Sequence, residues 1–216
     1  MQNKEPTENL LKEFDRQVEN LVHLGYPKIA GISEEEFTSR VRPLKEKVAP
    51  LDMPVINLEQ GHLPFVIVIK EKFIPVEKMM TLVERESKKG IVNLYPIEPD
   101  SFQPIEEITV PGGIAYLLVD IDRGKETINI PPQDALPLIK AKGRSPLTIE
   151  EGIAIVTHYP EFLIKNNCYS LLASRCGDAR VPAIWISEGS PKLGWCWNGN
   201  PHTWLGSASC KNRIGN

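Results

Sequence analysis

The sequence has no long hydrophobic run and no tract of basic residues. Its 216 residues carry 25 Lys and Arg against 28 Asp and Glu, which gives a formal net charge of −3. Proteins that bind the phosphates of nucleic acids normally cluster positive charge on one surface, so we exclude nucleic acid as a partner. No apolar stretch approaches the ~20 residues of a membrane-spanning helix, so we also expect no membrane insertion.

Cysteine is scarce as well, with four residues in the chain. The polar segment that follows Met1 lacks the apolar centre of a signal peptide, so we expect a soluble, cytoplasmic protein. Because thiols usually stay reduced in the cytoplasm, we expect four free cysteines. We also expect no bound cofactor and no metal.

The composition is that of a globular protein, with 41% hydrophobic and 25% charged residues. The 19 prolines and 15 glycines predict many short elements joined by stiff connections. The pattern along the chain predicts an α+β fold with a helical N-terminal arm over residues 1–49. An α+β domain then follows over residues 63–216.

Helical spacing of apolar residues predicts the first helix of the arm, from a cap at Thr7 to a stop at Gly25. Ser33 and Glu36 have the spacing of a capping box and predict a second helix. Pro43 should kink or restart that helix. An irregular, proline-bearing stretch over residues 49–54 predicts the connection to the second domain.

In that domain Phe65–Ile69 is short, apolar and β-branched, which predicts a central strand buried on both faces. A helix that begins at Pro75 and a strand over Ile91–Leu94 would complete a β-α-β unit. Further strands are predicted at Ala115–Asp120 and Thr127–Ile130, so that the sheet is mixed.

The second half of the domain carries two more helices and a hairpin. Pro131 and Pro132 open the first helix, and Thr148 with Glu151 forms a capping box for the second. The apolar runs 181–187 and 192–197 predict a C-terminal β-hairpin, because a glycine-containing turn separates them.

The segment from Ser174 to Cys210 contains all four tryptophans and three of the four cysteines. Within it, Arg175-Cys-Gly-Asp178, Val181–Trp185 and the closing run 194–206 resemble an uncharacterised bacterial family known only as a domain of unknown function. The resemblance extends more weakly towards the N-terminus. It implies a bacterial origin and a single evolutionary unit, and it brings no reaction, cofactor or catalytic residue.

Zinc binding is one interpretation of this segment, since Cys176, Cys196, His202 and Cys210 are suitable ligands. Structural zinc sites commonly use paired ligands two to four residues apart, and that spacing is missing here. In a strand, Cys196 would also lie on the opposite face from Trp195 and Trp197. We therefore favour buried thiols.

A thiol-dependent enzyme is a second interpretation. Cys176 would be the nucleophile, His202 the base, and Asp178 or Arg180 the orienting group. The same charged residues could instead form a structural ion-pair cluster before the strand.

Our leading interpretation is a site for a small polar ligand, because aromatic faces bury area while amide and imidazole groups fix orientation. The non-enzymatic alternative to ligand binding is a protein-interaction module that presents exposed tryptophans on an apolar surface. The predicted ligand-binding residues are Arg175, Asp178, Trp197, Asn198, Asn200 and His202.

Overall fold

The computed structural model describes residues 4–51 and 56–216 and has the predicted α+β fold. The α-helices are α1 (Lys4–His23), α2 (Tyr26–Ile29), α3 (Glu34–Val41), α4 (Lys45–Val48), α5 (Val76–Leu82), α6 (Pro132–Ala141) and α7 (Ile149–His158). The strands are β1 (His62–Ile69), β2 (Glu84–Arg85), β3 (Lys88–Lys89), β4 (Ile91–Val92), β5 (Gln103–Pro104), β6 (Ala115–Asp122), β7 (Ser145–Pro146), β8 (Cys168–Ser170), β9 (Ser174–Arg175), β10 (Arg180–Ser187), β11 (Ser190–Trp197), β12 (Leu205–Ser207), β13 (Ser209–Cys210) and β14 (Asn212–Ile214).

One sheet is built around β6. This strand pairs antiparallel with β1, β13 and β14, and β7 extends the sheet by pairing with β13. The strand predicted at Phe65–Ile69 is present and buried, but its predicted central position is wrong, because β1 lies at the edge of this sheet.

Side chains cover the free edge of β1. The side-chain amide of Gln17 accepts a hydrogen bond from the backbone N–H of Ile67 at 2.8 Å and donates one to the carbonyl of Phe65 at 3.2 Å. Nε2 of His158 lies 3.1 Å from the carbonyl of Ile67. Both side chains are buried. They occupy the place of a neighbouring strand, which explains why an edge strand has the apolar sequence of a central one.

The second sheet has the order β12-β8-β10-β11-β4 and is mixed. Strands β10 and β11 form the predicted C-terminal hairpin. Strand β4 belongs to this sheet and β1 to the other, so the predicted β-α-β unit is wrong. The strand predicted at Thr127–Ile130 is also wrong, since Lys125–Thr127 is a 3₁₀ turn and Asn129 has a φ of 64°.

Helix-capping signals predicted local structure well. Ser33 caps α3 by accepting from the backbone N–H of Glu36 at 3.1 Å. Thr148 and Glu151 form the expected reciprocal box at the start of α7. Thr7 is not a cap, because α1 begins at Lys4.

A buried ionic network ties the C-terminal strand to the core. The carboxylate of Glu151 accepts from Nη2 of Arg213 on β14 at 2.8 Å and from the hydroxyl of Tyr116 on β6 at 2.9 Å. Glu151 has no exposed surface, and the Arg213 side chain is almost fully buried. The network therefore links α7 to two strands of the first sheet.

The helical arm packs on the same apolar core as the sheets. Phe14, Leu21 and Phe37 are buried in one cluster with the residues of β1. The division into residues 1–49 and 63–216 stays a prediction. The predicted connection over residues 49–54 lies partly outside the described residues, as does the segment 1–3. Among the helices described, none is both long enough and apolar enough to cross a membrane.

Candidate functional site

The β10–β11 register distributes the tryptophans of the hairpin over its two faces. Trp185 lies opposite Lys192, whereas Trp195 lies opposite Pro182 and Trp197 opposite Arg180. Directly opposed residues share a face and successive residues alternate. Trp185 therefore lies on one face of the hairpin, and Trp195 and Trp197 lie on the other.

Arg180 organises the face that carries Trp195 and Trp197. Its guanidinium carbon lies 4.6 Å from the ring centroid of Trp195 and 5.0 Å from that of Trp197. The same guanidinium forms an ion pair with Asp178, whose carboxylate also accepts from the Arg180 backbone N–H at 2.8 Å. Trp195 donates its indole N–H to the carbonyl of Tyr95 at 3.1 Å. Asp178 and Trp197 are thus brought together through Arg180.

Arg175 and Asn198 form a second contact. Nη2 of Arg175 donates to Oδ1 of Asn198 at 3.2 Å, while its Nη1 is buried and has no hydrogen-bond partner among the described residues. Burial lowers the pKa of Arg175. Backbone hydrogen bonds to Ala179 and Gln133 hold Asn198 in place.

The other two predicted residues follow in the next loop. Asn200 is exposed and its backbone N–H donates to the carbonyl of Trp197 at 3.0 Å. The ring of His202 lies 5.2 Å from that of Trp204, and burial lowers its pKa. The six predicted residues therefore make three sets of contacts, and their sharing of one ligand stays a prediction.

Cys176 lies in an environment that does not favour a nucleophilic thiolate. Its thiol donates to a carboxylate oxygen of Asp178 at 3.2 Å. Burial and this hydrogen bond raise the pKa of Cys176. His202, the base in the enzymatic interpretation, packs instead on Trp204.

All four cysteines are free thiols. Burial raises the pKa of each, to about 12 for Cys210. Across residues 4–51 and 56–216, no group of three or more His, Cys, Asp or Glu side chains is arranged to hold a metal ion.

A cleft of about 680 Å³ lies on the Trp185 side of the hairpin. Two indoles meet in it: the ring centroids of Trp185 and Trp204 are 5.7 Å apart in an edge-to-face arrangement. The residues that line the cleft are Arg85, Glu86, Lys165, Asn166, Cys168, Trp185, Ile186, Glu188, Gly189 and Trp204.

Gly194 sets the position of one of these indoles. It lies beside the Trp185 ring, and a Cβ added at Gly194 would collide with two carbons of that ring and crowd a third. The glycine therefore lets the indole lie close against the backbone of β11. Lys192 contributes an ammonium group 5.5 Å from the centroid of the same ring.

Three tight turns form the rim of the cleft, and each holds a non-glycine residue in the left-handed region. These residues are Glu86 at φ 50° with Ser87 at 62°, Asn166 at 62°, and Glu188 at 53°. Such a conformation costs roughly 1–2 kcal/mol per residue, less for Asn. Two of these turns are the two-residue loops of the β2–β3 and β10–β11 hairpins, whose favoured geometry has a positive φ at both residues.

Several polar atoms at or beside the cleft are buried without a hydrogen-bond partner within the described part of the chain. They are Nε of Arg85, Oδ1 of Asn167 and Nε2 of His202. Arg85 lines the cleft directly, Asn167 stands between two lining residues, and His202 packs on Trp204. Of these three residues, Arg85 is the one whose side chain belongs to the lining of the cleft.

Sequence reasoning identified the tryptophan-rich segment but missed the residues that complete the cleft. Arg85 and Lys165 come from a short hairpin and a turn far away in sequence, and neither belongs to a recognisable motif. Alternation in the sequence placed Trp195 and Trp197 on one face of a strand and Trp185 on the neighbouring strand. The pairing register, which only the structure gives, places Trp185 on the opposite face.

The match to a family model covers residues 20–216, so the chain belongs to the family of unknown function DUF5701. The family match is not confined to the C-terminal half, where the resemblance in sequence is clearest, but includes most of the N-terminal arm. No curated protein and no solved structure matches the chain.

Proposed function

We propose that this protein binds a small molecule that contains a planar ring, and that the ring packs against Trp185 and Trp204. The observation that carries the proposal is the cleft itself, in which two indoles are exposed to a volume of about 680 Å³. Ligand sites in proteins typically enclose about 300–1,000 Å³ and combine aromatic walls with a few polar groups. The cleft has both properties.

The indoles supply the main attraction. Each is half-buried, so its position is held by the protein while part of its surface remains available. Stacking of a flat ring on an aromatic side chain contributes about 1–3 kcal/mol. Because Gly194 and the rim turns fix the site before binding, little ordering is required when a ligand enters.

This proposal keeps the interpretation that the protein binds a small molecule. The proposed binding site is the cleft, which neighbours the six residues predicted from the sequence. His202 connects the two descriptions through its contact with Trp204. A soluble, cytoplasmic protein of bacterial origin is part of the same proposal. It agrees with the composition of the chain and the sequence resemblance.

Equilibrium dialysis with two neutral ring compounds, adenosine and indole-3-acetamide, tests the proposal. We expect binding of at least one in the micromolar to millimolar range, weakened roughly tenfold by Trp185→Ala, since that factor corresponds to about 1.4 kcal/mol. Trp197→Ala is the matched control because it removes an indole from the opposite face. Absence of binding, or loss through Trp197→Ala alone, would refute the proposal.

One observation on the opposite face of the hairpin supports the alternative function, a protein-interaction module. Tyr95 is 84% exposed and Trp197 is 42% exposed, both beside the half-buried Trp195. If this surface mediates self-association, sedimentation velocity will show a concentration-dependent dimer that a Tyr95→Ser, Trp197→Ser variant lacks. A monomer at all concentrations removes self-association as its role.

A further inference from the structure

The cleft contains cationic groups whose positions bear on the chemistry of its ligand. Arg85 comes from the end of β2, and Lys165 comes from the turn before β8. The two side chains therefore reach the same cavity from independent parts of the chain. The Lys192 ammonium group lies over the Trp185 ring and adds a third positive charge nearby.

The guanidinium of Arg85 is only partly used within the described residues. Its Nη2 pairs with the carboxylate of Glu86 at 2.8 Å, and Glu86 is largely exposed. Its Nε–H is buried and makes no hydrogen bond to those residues. A buried donor on a charged group is costly to leave unpaired. An oxyanion in the cleft would be attracted by the charge of the guanidinium, since Arg85 lines the cavity. A change of side-chain conformation would let the buried Nε–H donate to that oxyanion as well.

Two carboxylates, those of Glu86 and Glu188, belong to residues that line the cleft, and Glu86 is paired with Arg85. Glu86 is an exposed partner of Arg85, and such surface pairs contribute little. Glu188 is exposed. The Lys88 ammonium group donates to the backbone carbonyl of Glu188 and not to its carboxylate. Lys165 is exposed at the rim, and it has no carboxylate within ion-pair distance among the described residues.

We infer that the ligand of the cleft is a ring compound that carries an oxyanion, either a phosphate ester or a carboxylate, held by Arg85 and Lys165 while Trp185 and Trp204 hold the ring. This inference rests on the proposed function and names its ligand class. Many small-molecule sites combine the same two elements: an aromatic surface supplies contact area, and an Arg fixes an anion through directional hydrogen bonds.

Matched pairs of probes test the inference on the full chain. Adenosine 5′-monophosphate is compared with adenosine, and indole-3-acetate with indole-3-acetamide, by equilibrium dialysis at low and high salt. We expect at least one anion to bind ten-fold or more tightly than its neutral partner, with the advantage reduced at high salt. The pair that shows the advantage distinguishes phosphate from carboxylate.

Variants assign the effect to the two cations. Arg85→Gln and Lys165→Gln should each remove most of the advantage of the anion and leave the affinity for the neutral ring unchanged. Lys89→Gln is the control, since Lys89 belongs to the same hairpin as Arg85 and pairs with Glu84 outside the cleft. It should change neither affinity. Because Lys165 is an exposed turn residue, its variant is informative even if Arg85→Gln folds poorly.

The outcomes separate this inference from the proposed function. Equal affinity for neutral and anionic probes would overturn the oxyanion inference while leaving ring binding intact. An anion advantage that survives both Gln variants would also overturn it. If neither neutral ring compound binds, ring binding in the cleft itself is refuted.

Discussion

Acidification should destabilise the protein through His158, which stands at the covered edge of β1. A carbonyl oxygen can only accept, so the contact of Nε2 with Ile67 places the ring hydrogen on Nε2. Nδ1 then accepts from the side-chain amide of Asn20 at 3.4 Å. Protonation would place a second N–H against this donor. The buried ring is therefore held in its neutral form.

The magnitude follows from the pKa of His158 in the two states. Burial lowers that pKa from 6.5 to about 4, with Arg16 acting in the same direction and the Ile67 carbonyl and Glu13 opposing it. As the pH falls, His158 of the unfolded chain binds a proton before His158 of the folded chain does. The folded state therefore loses stability as the pH decreases from 6.5 to about 4. The linkage relation gives a loss of about 2 kcal/mol between pH 7 and pH 5.

Urea unfolding of the wild type and of His158→Gln at pH 7, 6 and 5 measures the contribution of His158 to the free energy of unfolding. Glu71 has the opposite influence, because burial and the neighbouring carboxylates raise its pKa to about 7. That contribution is present in both proteins and cancels in their difference. We expect the stability of the wild type relative to the variant to fall by about 2 kcal/mol. A difference that stays constant with pH would refute the assignment of a buried neutral imidazole.

Three further predictions concern side chains that fix the fold and the cleft. Gln17→Leu should lower the free energy of unfolding by about 2–4 kcal/mol, measured in urea, because two backbone groups of β1 lose their partner; an unchanged midpoint contradicts the edge-covering role. Gly194→Ala should displace the Trp185 indole, change the near-UV circular dichroism and weaken ring binding at least tenfold; unaltered spectra and affinity contradict it. Glu151→Gln should cost about 3–5 kcal/mol in thermal unfolding, since Arg213 remains buried without its carboxylate; a cost below about 1 kcal/mol contradicts the network.

Local signals in the sequence predicted local structure. The cap at Ser33, the box of Thr148 and Glu151 and the β10–β11 hairpin depend on residues close together in the chain. Their hydrogen bonds therefore form within the segment that encodes them.

The position of β1 within its sheet was predicted wrongly, because it depends on contacts between residues that are distant in sequence. The apolar run of β1 is typical of a central strand, yet side chains from two helices occupy its free edge. Nothing near β1 in sequence indicates that Gln17 and His158 take the place of a strand. The same run of residues fits either arrangement, so periodicity alone could not distinguish them.

The candidate site was predictable only in part for a similar reason. The tryptophan-rich segment was recognisable from composition, and alternation placed Trp195 and Trp197 on one face of a strand. The cleft, however, joins Arg85, Lys165, Trp185 and Trp204 from four separate segments. Their convergence is a property of the folded sheets, and no spacing in the sequence encodes it.

The indole N–H resonances of the four tryptophans test the central claim most directly. A ¹⁵N-labelled sample of the wild type is titrated with adenosine 5′-monophosphate and with indole-3-acetate. We expect saturable shifts of the Trp185 and Trp204 signals, while Trp195 and Trp197, on the opposite face, stay unchanged. Shifts confined to Trp195 and Trp197, or no shift with either compound, would contradict ligand binding in the cleft.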